Sequence, residues 1–224
     1  MFIGHIAVAL GAKKAAPKTS LGTLLLAAQW PDIIWPLFLA FGWEKVEIDP
    51  GNTAVSPLDF THYPLSHSLL AGCGWAMLLA GVYLVLRKNR RGALWVGLCV
   101  LSHWLLDALS HRPDLPLYPR GDIFVGLGLW NSVFGTVLVE GTMFVAAVIL
   151  YNKITQPRDK TGDYAFRAFV GLLVFLYLMG LLGPPPPSVG AVEAGGFLGW
   201  LMVPWGYWID RHRTVRVANP DLSR

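Results

Sequence analysis

The chain has 224 residues, of which 54% are hydrophobic and 14% are charged. An ordinary soluble domain carries roughly a quarter of charged residues, so this composition excludes a polar soluble enzyme, a disordered chain and a collagen-like repeat. The net charge of +4 does not indicate a nucleic-acid partner, because the basic residues stand at the ends of apolar blocks and not along one amphipathic face. Long apolar blocks separated by short charged segments are typical of a polytopic membrane protein.

Six apolar segments predict an all-α, polytopic membrane helical bundle. Each has close to the ~20 residues that cross a hydrocarbon core. They cover residues 21–43, 66–86, 92–111, 127–151, 164–183 and 189–209. Residues 1–12 form a shorter apolar piece that, at ~1.5 Å per residue, reaches about halfway across, so we expect a half-helix or an interfacial helix. We expect one membrane-embedded domain over 1–224, with a functional core in 1–151 and two additional spans and a tail in 152–224.

Basic residues cluster at alternate ends of these segments. They lie within residues 13–18, 87–91, 153–167 and 211–224, the last cluster ending at Arg224. The opposite loops are acidic, balanced or uncharged. Because positively charged loops are retained in the cytoplasm, this pattern predicts that both termini are cytoplasmic.

Ionisable side chains inside apolar segments are costly, and they mark candidate functional sites. We estimate their depth from the helical rise of ~1.5 Å per residue, counted from the basic residues at the segment ends. Most of these side chains should then share one layer, from mid-membrane to the outer leaflet. They are His5, Asp32, His67, His103, Asp107 and Glu140. The sequence therefore predicts a polar site in the outer half of the membrane.

The third segment carries His103, Asp107 and His111 at helical positions i, i+4 and i+8, which form one stripe. Imidazole and carboxylate together suit Zn²⁺, Mn²⁺ or Fe²⁺, and the i, i+4 spacing allows one helix to hold two ligands of the same ion. The same stripe would also serve as a hydrogen-bonding seam between helices or as a proton path.

Two other segments carry polar features at a similar depth. Pro31 and Pro36 remove helical donors beside Asp32, so the first segment should kink there, and broken helices at membrane depth border polar cavities. Glu140 shares a helix face with Thr136 and could be a metal ligand, a general base or a partner of a histidine. The alternative for Glu140 is a protonated carboxyl on a packing stripe.

Further polar residues are candidates for substrate binding. Arg112 and Arg120 flank the outer mouth of the third segment, where they could hold an anionic group or simply lie at the interface. The other candidates are His62, Ser68 and Asn131. His62 precedes Pro64 and should lie on the outer loop, and Asn131 could join the site of Glu140 only from a capping position.

The motifs Pro31-Asp32, His62-x4-His67-Ser68 and Ser102-His103-x3-Asp107 together resemble the bacterial family of membrane-bound metal-dependent hydrolases of the inner membrane. The resemblance runs from His5 to about Glu140. That family is distantly similar to the all-helical zinc-dependent phospholipase C fold, in which His and Asp residues hold a zinc cluster that cleaves phosphoesters.

By this resemblance, the metal-binding pattern falls on a defined set of positions. The set is His5, Asp32, His67, His103 and Asp107, with His111 and Glu140 as further ligands. The pattern departs at Thr136, where a His is expected. The resemblance therefore implies one or two divalent ions, Zn²⁺ above all, with Mn²⁺ or Fe²⁺ as substitutes.

The leading hypothesis is a membrane-embedded hydrolase that cleaves a phosphoester of a lipid or another amphiphile at the outer leaflet. Asp32 and Glu140 are its candidate catalytic residues, and membrane lipids or a phosphorylated amphiphile are its expected partners. The alternative is an ion-coupled transporter that uses intramembrane His and carboxylate groups. A third hypothesis is a structural membrane protein whose polar stripes only hold helices together.

Overall fold

The computed structural model describes residues 1–216, and over this range the chain is mainly helical. Arg224, the last residue of the predicted cytoplasmic clusters, lies outside the described residues. The helices are α1 (Ile3–Ala15), α2 (Leu21–Ala28), α3 (Trp30–Ala40), α4 (Pro64–His67), α5 (Leu69–Arg87), α6 (Arg90–Ser110), α7 (Val133–Ile154), α8 (Lys160–Leu182), α9 (Val189–Gly199) and α10 (Met202–His212). A short 3-10 helix (Leu129–Asn131) precedes α7.

Three antiparallel two-stranded ribbons connect the helices at their ends. They pair β1 (Lys45–Ile48) with β2 (Leu58–His62), β3 (Leu115–Pro116) with β4 (Phe124–Val125), and β5 (Thr155–Pro157) with β6 (Arg213–Val215). The first two ribbons lie on the predicted outer side, and the third ties the segment after α10 to the end of α7. The fold class predicted from the sequence, a helical bundle, is confirmed at this level.

Four helices within residues 1–216 are long and apolar enough to cross a membrane, namely α5, α6, α7 and α8. The pair α2 and α3 would make a fifth span, bent by 56°. The predicted number of six spans is not confirmed, because the last apolar segment is divided by a turn at Trp200 and Leu201. Its two halves pack against the bent pair, α9 on α3 and α10 on α2.

Polar side chains cap the starts of six helices and fix where these helices begin. Each capping oxygen accepts an N–H of the first turn and satisfies a donor that has no partner within the helix. The caps are Ser20, Ser68, Asn89, Ser132, Asp159 and Ser188. Ser68, a predicted substrate-binding residue, is buried and accepts the N–H of Ala71, so the structure gives it a structural role.

The kink predicted beside Asp32 is present. α2 ends at Ala28, and α3 begins at Trp30 with Pro31 in its first turn, where the missing N–H leaves no helical bond broken. The kink occurs at Pro31 alone, because α3 continues through Pro36 without a break. The break frees the backbone carbonyl of Ala28 from α2 and brings Asp32 into the first turn of α3.

The first helix lies at the centre of the bundle. Nine of the 13 residues of α1 are buried, and it contacts α2, α6, α7 and α8. Ile6 and Leu10 are fully buried beside Leu21, Leu24 and Leu25 of α2. Of the two predicted forms, a half-helix or an interfacial helix, the structure has a short helix inside the core.

Glycine allows α2 and α10 to approach closely. A Cβ added at Gly206 would lie 2.6 Å from Cδ1 of Leu25 and 2.9 Å from the backbone of Gly22. Small residues at such crossings let membrane helices pack tightly. Overpacking costs about 1–3 kcal/mol, so we expect Gly206→Val to lower the free energy of unfolding by about that amount in detergent micelles.

The matched control for this prediction is Gly195→Val in α9, where an added Cβ meets nothing within 4 Å. It introduces the same β-branched residue into a helix without touching a neighbour. Equal losses of stability in the two variants would contradict the close approach of α2 and α10 as the cause.

Candidate metal centre

Five predicted ligands meet at one end of the bundle and form what we call the candidate metal centre. His5 comes from α1, Asp32 from α3, His67 from α4, and His103 and Asp107 from α6. Two groups of three can each hold one ion, with ligand atoms that all lie within 4.8 Å of one another. One group is His5, His103 and Asp107, the other is Asp32, His67 and His103, and His103 belongs to both.

Local structure explains why these side chains converge. The i, i+4 spacing places His103 and Asp107 on the buried face of α6. The break after α2 brings Asp32 to the start of α3. His67 ends the single turn of α4, and the extended backbone at Ser68 separates that turn from α5.

The donor atoms lie close together. Nε2 of His103 is 3.1 Å from Oδ2 of Asp107 and 3.6 Å from Oδ1 of Asp32. Nε2 of His67 is 3.4 Å from Oδ1 of Asp32 and 3.9 Å from Oδ2 of Asp107. The side chains of His103 and Asp107 are 1% and 2% exposed, whereas Asp32 is 40% exposed, so the centre is open on the side of Asp32.

A backbone contact fixes the tautomer of His103. Its Nδ1 lies 2.8 Å from the carbonyl oxygen of Ala28, and a carbonyl oxygen only accepts hydrogen bonds. Nδ1 therefore carries the hydrogen, and in the neutral ring Nε2 presents a lone pair. This Nε2 is buried and has no hydrogen-bond partner among residues 1–216, although it faces two carboxylates.

A relay of side chains fixes the tautomer of His67 in the same way. Oε1 of Glu44 accepts the N–H groups of Leu65 and Ser66 at 2.7 and 2.8 Å, which holds the start of α4. The Ser66 hydroxyl donates to Oε2 of Glu44 at 2.5 Å. Because this hydroxyl has one hydrogen, it can only accept from Nδ1 of His67, 2.6 Å away. Nε2 of neutral His67 is then also unprotonated and faces Asp32 and Asp107.

Two imidazole lone pairs that face two carboxylates repel each other unless a cation lies between them. The donor types and their positions are compatible with a divalent metal ion. Histidine ligands held through their other ring nitrogen by a carbonyl or a hydroxyl are a general feature of metal sites. The residues present therefore fit the ion that the sequence pattern implies.

His5 adds a third imidazole. Its ring stacks on that of His103 with centroids 3.7 Å apart and planes 7° from parallel. Two positively charged rings at this distance would repel each other, which favours neutral rings as ligands. Nε2 of His5 is 3.1 Å from Oδ1 of Asp107, and the same oxygen lies 2.5 Å from the amino nitrogen of Met1.

Glu140 lies beside the centre but belongs to neither ligand group. Its Oε2 accepts the N–H groups of Phe2 at 3.0 Å and Gly4 at 3.2 Å. A carboxylate in this position caps the start of α1, and its negative charge interacts favourably with the helix dipole. The structure thus gives Glu140 a capping role that the sequence analysis missed.

His111 does not join the predicted stripe. α6 ends at Ser110, and His111 follows it in an extended conformation. Its Nδ1 lies 3.1 Å from Asp114 and 3.3 Å from the Tyr63 hydroxyl, and its ring packs on Trp130. The predicted stripe of His103, Asp107 and His111 is wrong because it requires α6 to continue through His111, whereas α6 ends at Ser110.

The predicted substrate-binding residues belong to neither ligand group. Arg112 forms ion pairs with Asp59 and Asp114, so its charge is already matched. The remaining ones, besides the cap Ser68, are exposed and lie on loops or element ends: His62, Arg120 and Asn131. Binding of an anionic group by these residues stays a prediction.

The ion pairs of Asp114 with His111 and Arg112 predict that the stability of the fold depends on pH. Burial opposes ionisation of Asp114, but hydrogen bonds from His111, Tyr63 and Arg112 outweigh it and lower the pKa of this carboxyl below its ordinary value of 3.8. A group whose pKa is lower in the folded state stabilises the fold above its unfolded pKa, and this contribution is lost as the pH falls through the folded value. We expect the unfolding temperature of Asp114→Asn to lie below that of the wild type at neutral pH, with a gap that closes on acidification. A gap that does not change with pH would contradict this assignment.

Sequence reasoning missed the groups that orient the histidines. Glu44 reaches Ser66 across 22 residues, and the carbonyl of Ala28 reaches His103 across 75 residues. Neither contact has a periodic signal in the sequence. The one local hint is Ser66, which stands next to His67 and could have been examined as its hydrogen-bond partner.

Comparison with protein-family models matches residues 1–183 to the family described as YdjM inner membrane protein. No curated protein and no solved structure matches the chain. The matched range contains the whole candidate metal centre and ends directly after α8. The matched family model covers far more than half of the chain, and the description of the family as an inner membrane protein agrees with the apolar helices of the bundle. The chain therefore belongs to the YdjM inner membrane protein family.

Proposed function

We propose that this protein is a membrane-embedded, metal-dependent hydrolase that cleaves a phosphoester of a lipid or another amphiphile at the outer leaflet. The observation that carries the proposal is the pair of tautomers in which Nε2 of His67 and Nε2 of His103 both face Asp32 and Asp107. The family description supplies the inner membrane but no activity, so the reaction rests on the chemistry of these side chains.

The donor set supports Zn²⁺, with Mn²⁺ or Fe²⁺ as substitutes. Ligands at about 2.0–2.1 Å from a tetrahedral ion lie about 3.3 Å from one another, and the separations between the imidazole and carboxylate donors run from 3.1 to 3.9 Å. Because His103 belongs to both ligand groups, one ion or two adjacent ions are compatible with the arrangement. When bound, such an ion polarises a phosphoryl oxygen and lowers the pKa of a bound water toward ~7.

Asp32 is the residue best placed to move a proton. It is the ligand with the exposed side chain, so water and substrate reach the centre from its side. Its carboxylate can accept a proton from the attacking water as a general base. The water oxygen then forms a bond to phosphorus, the ester P–O bond breaks, and Asp32 passes the proton it accepted to the leaving oxygen. Glu140 would act indirectly in this proposal, by holding the start of α1 and with it His5.

The depth of the centre supports an amphiphilic substrate. His103 and Asp107 lie within about two turns of the end of α6 that leads into the loop at 111–123. Basic residues lie at the other end of α6, and by the positive-inside rule this supports a centre in the outer half with both termini in the cytoplasm. A phosphoester at the level of lipid headgroups would reach this position.

The transporter alternative has less support. A transported ion needs a polar path from the centre to the cytoplasmic side. Between the centre and the cytoplasmic end, α1 and α2 instead pack fully buried apolar side chains, namely Ile6, Leu10, Leu24 and Leu25. We therefore favour hydrolysis.

The test is hydrolysis by the purified protein in detergent and in proteoliposomes. The probes are para-nitrophenyl phosphate, its bis-ester, and phosphatidylglycerol labelled in the headgroup. We expect phosphoester cleavage that EDTA abolishes and added Zn²⁺ restores. Metal-ion counterflow in proteoliposomes without cleavage of any probe would contradict the proposal and favour the transporter.

A further inference from the structure

A cavity of about 740 Å³ lies beside the candidate metal centre in the outer half of the bundle. α8 forms one side, Glu140 of α7 and Phe2 line another part, and residues 50–58 and 184–186 form its rim. The volume falls within the range of about 300–1,000 Å³ that is usual for small-molecule sites. Its α8 wall includes Leu176, Met179 and Gly180, and is therefore mainly apolar.

The cavity has an open side between α7 and α8. α7 packs mainly against α1, and α8 packs mainly against α10, so the two walls are not closed against each other. Around the cavity α8 presents Phe175, Leu178 and Leu182 as exposed apolar side chains. An occupant that enters sideways between α7 and α8 comes from the lipid phase.

The inner end of the cavity is polar. The carboxylate of Glu140 and the ring of Tyr177 line it, and the Tyr177 hydroxyl is buried without a hydrogen-bond partner among residues 1–216. Phe2, which also lines the cavity, donates its N–H to Glu140. The neighbouring residue Met1 contacts Asp107 of the metal centre, so only the first residues of the chain separate the two sites.

We propose that this cavity binds a hydrocarbon chain of the amphiphilic substrate, with a polar group of the same molecule at Tyr177. That the occupant is a substrate rests on the proposed function; that it is a lipid chain rests on the apolar walls and the opening toward the bilayer. An unpartnered hydroxyl at the end of an apolar cavity costs free energy unless an occupant accepts its hydrogen bond. A molecule that is apolar along most of its length and polar at one point meets both requirements.

Two glycines of α8 provide a matched pair of variants. An added Cβ meets nothing within 4 Å at either Gly180 or Gly171, so both positions tolerate a side chain without a clash at the Cβ. Gly180 lines the cavity and Gly171 does not. Gly180→Trp should fill the cavity, whereas Gly171→Trp places the same bulk on the same helix outside it.

The experiment uses full-length protein in liposomes that contain phosphatidylglycerol with a photoactivatable diazirine in one acyl chain. After irradiation, labelled peptides are mapped by mass spectrometry. We expect label concentrated on residues 176–183 in the wild type and in Gly171→Trp, and lost in Gly180→Trp. Label distributed evenly over the lipid-facing helices, or label that Gly180→Trp leaves in place, would overturn the proposal.

A third variant separates this inference from the proposed function. His103→Ala removes a ligand of the metal centre but leaves the cavity walls intact, so labelling of residues 176–183 should persist. If the wild type shows concentrated label but hydrolyses no probe, the chain-binding site stands and the hydrolase assignment fails. If the wild type hydrolyses lipid and both tryptophan variants do so equally, the chain-binding site fails and the hydrolase assignment stands.

Discussion

Replacing His103 by Ala or Asp107 by Asn is expected to abolish stoichiometric metal binding and all hydrolysis. His103 belongs to both groups that can hold an ion, and Oδ2 of Asp107 faces both His67 and His103. His103→Ala removes a donor from both ligand groups, and Asp107→Asn removes the carboxylate charge that faces both imidazoles. The measurement is elemental analysis of purified protein after dialysis against Zn²⁺, expressed as ions per chain.

The matched controls are His62→Ala and Glu47→Gln. Both side chains are exposed on the ribbon of β1 and β2, which leads into α4 and its ligand His67. They test whether the loss of a nearby imidazole or carboxylate is enough to lower the metal content. Wild-type metal content in the His103 and Asp107 variants would remove the basis of the hydrolase proposal.

Glu44→Gln is expected to weaken metal binding by about 10–100-fold, the usual effect of changing a partner of a ligand, although Glu44 touches no ion. The amide of glutamine can donate to Ser66, and the Ser66 hydroxyl then donates to Nδ1 of His67. The relay is reversed, the hydrogen of neutral His67 moves to Nε2, and the lone pair no longer faces Asp32 and Asp107. The measurement is the dissociation constant for Zn²⁺ by competition with a chromophoric chelator.

Two comparisons make this result specific. Glu47→Gln makes the same chemical change three residues away on an exposed side chain and should leave the dissociation constant unchanged. Ser66→Ala removes the relay without reversing it and should weaken binding as well. If Glu44→Gln binds Zn²⁺ as tightly as the wild type, the tautomer argument for His67 is wrong.

The sequence predicted the parts of the centre that depend on local periodicity and on proline. The i, i+4 spacing of His103 and Asp107 and the break beside Pro31 are local features, and the structure has both. The meeting of His5 with His103 also agrees with the common depth estimated from helical rise. That these residues bind a metal ion stays a prediction.

The errors come from helix ends and from tertiary contacts. Pro113 stands three residues after Ser110, and residues that precede a proline avoid helical geometry, so the end of α6 before His111 had a local signal. Pro204 lies in the first turn of α10. Because proline is disfavoured inside a continuous helix, it was a local signal that the segment 189–209 is divided. The six-span prediction treated the segment 189–209 as one helix and overlooked this residue.

The orienting groups had no comparable signal. Glu44 is the first residue of an acidic loop, a pattern typical of solvated charges, yet its side chain is buried against α4. Glu140 was identified by its depth, but its use as the cap of α1 depends on how α1 and α7 pack together. Such contacts become visible only when the helices are placed in space.

X-ray absorption at the zinc K-edge of the wild-type protein detects the proposed metal centre itself. We expect one or two bound ions per chain in a shell of nitrogen and oxygen at about 2.0–2.1 Å, with the outer scattering of two or three imidazole rings. A protein without bound zinc after reconstitution, or a shell with sulfur from Cys73 or Cys99, would contradict a centre built from His5, Asp32, His67, His103 and Asp107.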